Sequence, residues 1–387
     1  MPELKRLGGV SVRHTTVMVA CVHVLLATVI ASKFDWHVSG FIRINRASAA
    51  LNADRMTDGL VVLTQSTGFD GKENYFVAVD PFPGPEYAVP YRLKRILYPL
   101  LSHVLALGRR DLLPLTMLVI NLIAVTAGTC AIAATLQLLR RPPAFAIVYG
   151  LSIAEIVGVK YSLTTPLSLS LACAGIYLFY RKRPVFSAAC FSLSLLSNEY
   201  TLVIPLGLAI ASLARREWKT ALILAASPLP WAAYLLFVAV HYSARAVTDA
   251  AEVFAAPFQG ILDVIRHLNP ALPWRQFVYH DVAPLLFVGV VAVITITQLL
   301  KLRKGLAVCP LLILYYVVFA LFLKEDCWRI INISRYLSPV FPLLLLSLDD
   351  EPGSWDLLSV STAGAFSLVS IAGILVEPRV PFLLWHG

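Results

Sequence analysis

Asp70 sits between Gly68 and Gly71, and the polar interval from Gly68 to Pro99 also holds Glu73, Asp80, Tyr91, Arg92, Lys94 and Arg95. Neighbouring glycines let a backbone come close to a ligand, and a carboxylate held there can take the proton of a hydroxyl or bind a divalent cation. Asp70 is the leading candidate for a general base; an aspartate in an ordinary glycine-rich turn is the competing reading. Asp80, in the run VDPF, is the second candidate, unless its carboxylate caps the turn that follows. Arg92 and Arg95 carry planar donor forks that fit a phosphate, with Tyr75 and Tyr91 nearby in sequence. Basic residues beside a membrane also serve as plain contacts for lipid head groups.

Two more charged residues lie in apolar surroundings. Asn198-Glu199 breaks a hydrophobic stretch. An ionised acid inside a membrane is costly enough to indicate function; alternatively the pair marks a short outer turn with Glu199 in water. Arg335, followed by Tyr336, falls just inside the outer end of a late helix, where it fits a lipid phosphate or snorkels to the interface. Asp70, Asp80 and Glu199 form the expected catalytic set, and Tyr75, Tyr91, Arg92, Arg95, Arg335 and Tyr336 the expected substrate-binding set.

The elements that must position these residues are membrane helices. Of 387 residues 58% are apolar and only 14% charged, and the mean hydropathy is +0.75, which excludes a soluble globular class. A hydrocarbon core about 30 Å thick takes about 20 apolar residues per helix, leaving room for about eleven spans in one integral membrane domain, 1–387. The net charge of +9 calls for no nucleic-acid partner, because it is spread over short Lys/Arg clusters between apolar runs. The clusters near 140, 181, 215 and 301 recur at every second boundary, which places them with the N-terminus inside and the large loops outside. The run 15–32 reads as a first membrane helix rather than a signal-peptide core. Two outer loops follow, 33–112 and 241–283, each with an amphipathic helix at the interface: 96–107 in the first, and in the second a stripe of Phe254, Phe258, Ile261, Leu262, Ile265 and Leu268. Asp349, Asp350 and Glu351 make an acidic inner loop. The six cysteines are scattered and indicate neither a disulfide framework nor a metal site.

Nucleotide-binding and metalloprotease motifs are missing, so ATP-driven chemistry is not expected. The order TGFDG, YFVAVDPF, YRLKRILYPLL resembles the first-loop signature of bacterial membrane glycosyltransferases of the GT-C superfamily. LSLLSNEYTLVIPL followed by ARREWKTAL, and NISRYLSPVFPLLLL, are similar to later segments of that family. The resemblance implies a polytopic all-α fold and transfer of a sugar from a polyprenyl-phosphate donor to a glycan, lipid or protein acceptor. It also implies a catalytic acid in the first outer loop, which here is Asp70. A bacterial inner (plasma) membrane with the site facing outward, a role in the cell envelope and contact with membrane lipids go with it, and a divalent cation stays open as a cofactor. Lys72-Glu73-Asn74 and KYSLTTP depart from the family's pattern. The competing classes are a transporter or lipid flippase with the same number of spans, and a non-catalytic envelope-assembly protein. A transporter would place its ionisable groups mid-membrane on broken helices.

Overall fold

The computed structural model describes residues 11–66, 68–84, 90–242, 253–268, 282–303, 307–350, 352–376 and 379–386. Among them five helices are long and apolar enough to cross a membrane: Val12–Ser32, Arg110–Leu138, Trp218–His241, Ala283–Leu302 and Ser354–Leu375. A bent pair, Pro143–Gly150 with Ile153–Lys160, is a sixth candidate, and four shorter apolar helices run 10–17 residues. The chain is a helical membrane protein. In chain order its main helices are α1 (Val12–Ser32), α2 (Gly71–Val79), α3 (Leu97–Leu105), α4 (Leu113–Leu138), α5 (Ala146–Gly150), α6 (Ile153–Lys160), α7 (Thr165–Tyr180), α8 (Pro184–Ser197) and α9 (Val203–Ala214). They continue with α10 (Trp218–Ala225), α11 (Leu229–His241), α12 (Gln259–Arg266), α13 (Ala283–Leu302), α14 (Val308–Leu321), α15 (Ile330–Tyr336), α16 (Val340–Leu346) and α17 (Ser354–Val376).

α4 is the inner pillar. It has no charged residue and opens with Pro114, whose missing N–H is harmless in a first turn. It packs between α1 and α7, and 56% of its apolar window is buried, against 17% for Trp218–His241, so α10 and α11 form the outer rim. Rim residues such as Leu222, Leu236 and Val240 are exposed, an apolar surface suited to lipid tails.

The basic clusters are helix caps. α4, α7 and α9 each end with a basic residue in the left-handed conformation, Arg140, Lys182 and Arg216. At each end the N–H of that residue and of the next one reach back to two of the last helical carbonyls, as in Arg140 to Gln137 and Arg141 to Leu136. Glycine usually takes this position; a cation there complements the negative end of the helix dipole. The acidic loop expected on the same face does sit there. Lys301 pairs with Asp356 at 2.6 Å and Asp349 at 3.6 Å, and Arg141 donates to the Leu346 carbonyl at 2.8 Å. Trp218 and Trp355, exposed at the starts of α10 and α17, give this face an aromatic edge.

On the opposite face the first loop folds into a cap, where this nearly all-α chain adds one small sheet. β1 (Ile44–Asn45) pairs in parallel with β2 (Val61–Leu63), and β3 (Phe382–Leu384) adds antiparallel to β2. The segment after α17 is thereby fixed to the first loop, with Arg379 on Asp35 at 3.2 Å and Lys33 on the Ile374 carbonyl. The helix expected at 96–107 is α3, with Pro99 in its first turn as anticipated. Tyr98 and Ser102 are buried beneath it, while Val104 and Leu105 are exposed. α12 supplies the second amphipathic helix. Phe258, Leu262 and Ile265 are exposed, while Ile261 and Val264 pack inward. Much of the second loop, 243–252 and 269–281, lies outside the described residues.

Candidate active site

Asp70 stands at the N-terminus of α2, and its position is set by backbone contacts that only glycine allows. A Cβ on Gly71 would lie 2.2 Å from the Tyr161 carbonyl, and Gly68 has φ +78° with the Arg43 carbonyl 2.7 Å from where a Cβ would be. Phe69 stacks on Tyr161 at 4.4 Å and Asn74 donates to the Ser162 carbonyl at 2.9 Å, so the start of α2 is clamped to the end of α6. The competing reading of the sequence, an aspartate in a glycine-rich turn, describes the backbone here correctly.

Both Asp70 oxygens are engaged by guanidinium groups. Arg92 Nη2 donates to Oδ1 at 2.9 Å and Arg335 Nη1 donates to Oδ2 at 2.8 Å. Burial alone would raise the carboxyl's pKa, but the charges and hydrogen bonds of Arg335 and Arg92 outweigh it and hold the group well below the usual carboxylate range. Arg92 comes from the short turn Pro90–Arg95, and Arg335 from the last turn of α15, where the helix dipole favours a cation. Arg335 Nε is buried and has no hydrogen-bond partner among the described residues.

A second ion cluster lies beside the first. Arg95 grips Glu199 with two parallel bonds, Nε to Oε2 at 2.9 Å and Nη2 to Oε1 at 2.7 Å, and Lys94 adds a contact at 3.2 Å. Glu199 therefore occupies a turn between α8 and α9 and is neither bare in the membrane nor simply in water. Asn198 shapes that turn by accepting from the Tyr200 N–H.

The two clusters line a cavity of about 530 Å³. The remaining wall is largely aromatic: Tyr200, Trp231, Tyr315, Tyr316, Phe319 and Tyr336. Tyr200 and Tyr336 rings sit 4.8 Å apart, and the Tyr316 hydroxyl donates to the Tyr200 carbonyl at 2.5 Å. Charged groups and aromatic rings together give the cavity an amphiphilic lining.

Of the expected residues, Asp70, Glu199, Arg92, Arg95, Arg335 and Tyr336 converge on this cavity. Two do not. Asp80 ends α2 at the far end from Asp70 and lies 3.7 Å from Arg55, outside the lining. Tyr75 is fully buried with Met56 and Tyr98 in a core cluster and offers nothing to a substrate. The side chain of Tyr91 lies outside the described residues. Lys94, Tyr200, Trp231, Tyr316 and Asn332 also line the cavity. Lys94 and Tyr200 had a signal in their charged neighbours, whereas Trp231 and Tyr316 look in sequence like any aromatic of an apolar helix. No three His, Cys, Asp or Glu side chains converge to hold a metal ion among the described residues, and the oxygens of Asp70 are already taken by cations.

No protein-family model, curated protein or solved structure matches the chain.

Proposed function

We propose that the protein is a membrane glycosyltransferase resembling the GT-C superfamily. It takes a sugar from a polyprenyl-phosphate donor and gives it to a hydroxyl of a glycan, lipid or protein acceptor at the outer face of a bacterial inner membrane. The supporting observation is the Asp70 carboxylate between Arg92 and Arg335 on a cavity whose lining joins these charges to a set of aromatic rings. An amphiphile with a phosphate head matches that lining. Asp70 takes the acceptor's proton, the acceptor oxygen forms a bond to the sugar's anomeric carbon, and the bond from that carbon to the phosphate breaks with its electron pair. The leaving group becomes a lipid phosphate with one more negative charge, met by the guanidinium groups. In this reading the four shorter apolar helices and the bent pair also cross, and α15 with α16 makes one more broken span, giving about eleven.

Purified protein incubated with labelled polyprenyl-phosphate sugars and an acceptor extract tests the reading. Sugar transfer or slow donor hydrolysis, lost in Asp70→Asn, is expected; a folded Asp70→Asn variant with normal transfer removes Asp70 from the mechanism.

One observation favours transport instead. Glu155 is fully buried on α6 with Tyr149 beside it, and α5 and α6 are bent by 47° at their break. A buried acid on a broken helix suits an ion or substrate path. Reconstituted flux that Glu155→Gln abolishes, without any turnover of donor, is the outcome that selects this reading.

A further inference from the structure

Arg92 and Arg335 share the Asp70 carboxylate, and Arg335 has donor capacity to spare. Asp70 has one oxygen on Arg92 and the other on Arg335, while Arg335, whose side chain is only 9% exposed, keeps its buried Nε without a partner among the described residues on the lining of the cavity. The buried indole N–H of Trp231, on the same lining, is also unpartnered among the described residues. Unspent buried donors beside a cation are what an incoming anion would satisfy. A phosphate that docks on Arg335 Nε arrives next to the Asp70 carboxylate, and two anions side by side in a part-buried site repel.

We infer that Arg92 and Arg335 form a single anion site with two alternative occupants, the Asp70 carboxylate in the empty protein and the donor's phosphate in the loaded one. This rests on the donor reading above and adds a sequence of events to it. A carboxylate held by two guanidinium groups is a poor base, so the empty protein does not activate hydroxyls. Donor phosphate draws the guanidinium groups away and leaves Asp70 part-buried and uncompensated, which raises its appetite for a proton. The acceptor hydroxyl, donating to Asp70, is the group that then satisfies it. Donor therefore binds before acceptor. After transfer the roles reverse: once Asp70 has passed on its proton, its restored charge competes with the lipid phosphate for the arginines and helps to expel it.

The test measures binding of farnesyl phosphate, with farnesol as the control, to detergent-purified wild type, Asp70→Asn and Arg335→Lys by calorimetry. Removing the internal competitor should tighten phosphate binding by about tenfold or more, and Arg335→Lys should weaken it by about tenfold. Equal affinity of wild type and Asp70→Asn, with Arg335→Lys still weakened, overturns the exchange while leaving the phosphate site in place. If neither wild type nor Asp70→Asn prefers farnesyl phosphate to farnesol, the donor reading falls and the exchange with it. Should Asp70→Asn fail to fold, infrared difference spectra of wild-type protein labelled with ¹³C-aspartate decide. Saturating farnesyl phosphate should shift a guanidinium-paired carboxylate band to that of a free carboxylate, and an unchanged band overturns the inference.

Discussion

Arg335 and Asp70 are 265 residues apart in the chain and 2.8 Å apart in space. Their contact ties the first loop to the helix that ends in Tyr336, and Arg92 joins on the other carboxylate oxygen. The site is thus assembled from two segments that share no local structure.

Breaking this contact from one side strands a charge. Arg335→Gln should lower stability by about 1–3 kcal/mol because Asp70 keeps its charge with one partner fewer. Adding Asp70→Asn should restore part of the loss. Thermal melts of the two single variants and the double variant in detergent measure the coupling, and strict additivity would mean that the pair contributes nothing.

Glu199 has both oxygens engaged by Arg95 and Lys94, and in the proposed reading it anchors those cations while Asp70 is the base. Glu199→Gln is expected to slow transfer by about tenfold to a hundredfold through misplacement of the cations. The pH dependence of the remaining activity should keep its wild-type shape. A lost acidic limb in this variant would restore Glu199 to the catalytic set.

Glu73 and Asp70 respond to pH with opposite signs. Burial raises the pKa of Glu73, the charge of Asp70 adds to the rise, and Arg92 and Lys72 only partly offset it. A folded-state pKa above the unfolded value of about 4.3 means that stability is greatest below that value and falls as pH rises through the folded one. Asp70, with a depressed folded pKa, contributes its full stability above about pH 3.9 and loses it progressively as pH falls from there through the folded value. Glu73→Gln should therefore melt higher than wild type at pH 7 and close to wild type at pH 4. Identical melting at both values removes the penalty assigned to Glu73.

Leu107 follows α3 with φ +53° and is 85% exposed, so its side chain bears left-handed strain without packing in return. Leu107→Gly should stabilise by about 1 kcal/mol. Lys182→Gly relieves the same strain on the other face but removes a cation from a helix end, so its gain should be smaller. Melting temperatures of the two variants give the comparison.

Orientation can be read by labelling. Single cysteines at Ser66 and Arg181, both exposed, in a background without the six natural cysteines should react with an impermeant reagent from opposite faces. Reaction of both from one face overturns the proposed topology.

The sequence reveals residue chemistry better than residue meeting. Asp70, Arg92, Arg95, Glu199 and Arg335 stand out because charge in apolar sequence is costly, but which cation meets which carboxylate depends on how the helices pack. Asp80 is misread because α2 intervenes: nine helical residues rise about 13 Å, which carries its last carboxylate away from its first. Tyr75 is misread for a related reason, since five positions along a helix turn a side chain well away from Asp70 and, here, into the core. The sheet escapes notice because strands of two and three residues are too short to display an alternating pattern. The amphipathic helices and basic turns are legible because they follow from periodicity and charge alone.

Pairing of Leu383 with Val62 also has a consequence in time. During synthesis the first helix is inserted and the first loop is delivered to its face long before residues 382–384 exist. Until they emerge, β2 presents an open edge, and the cap that carries Asp70 lacks one of its walls. Arg335, too, is made late. In the proposed reading, a nascent chain stalled between those points is expected to be threaded through the bilayer and chemically silent, the order of translation holding back its chemistry until the last strand is in place.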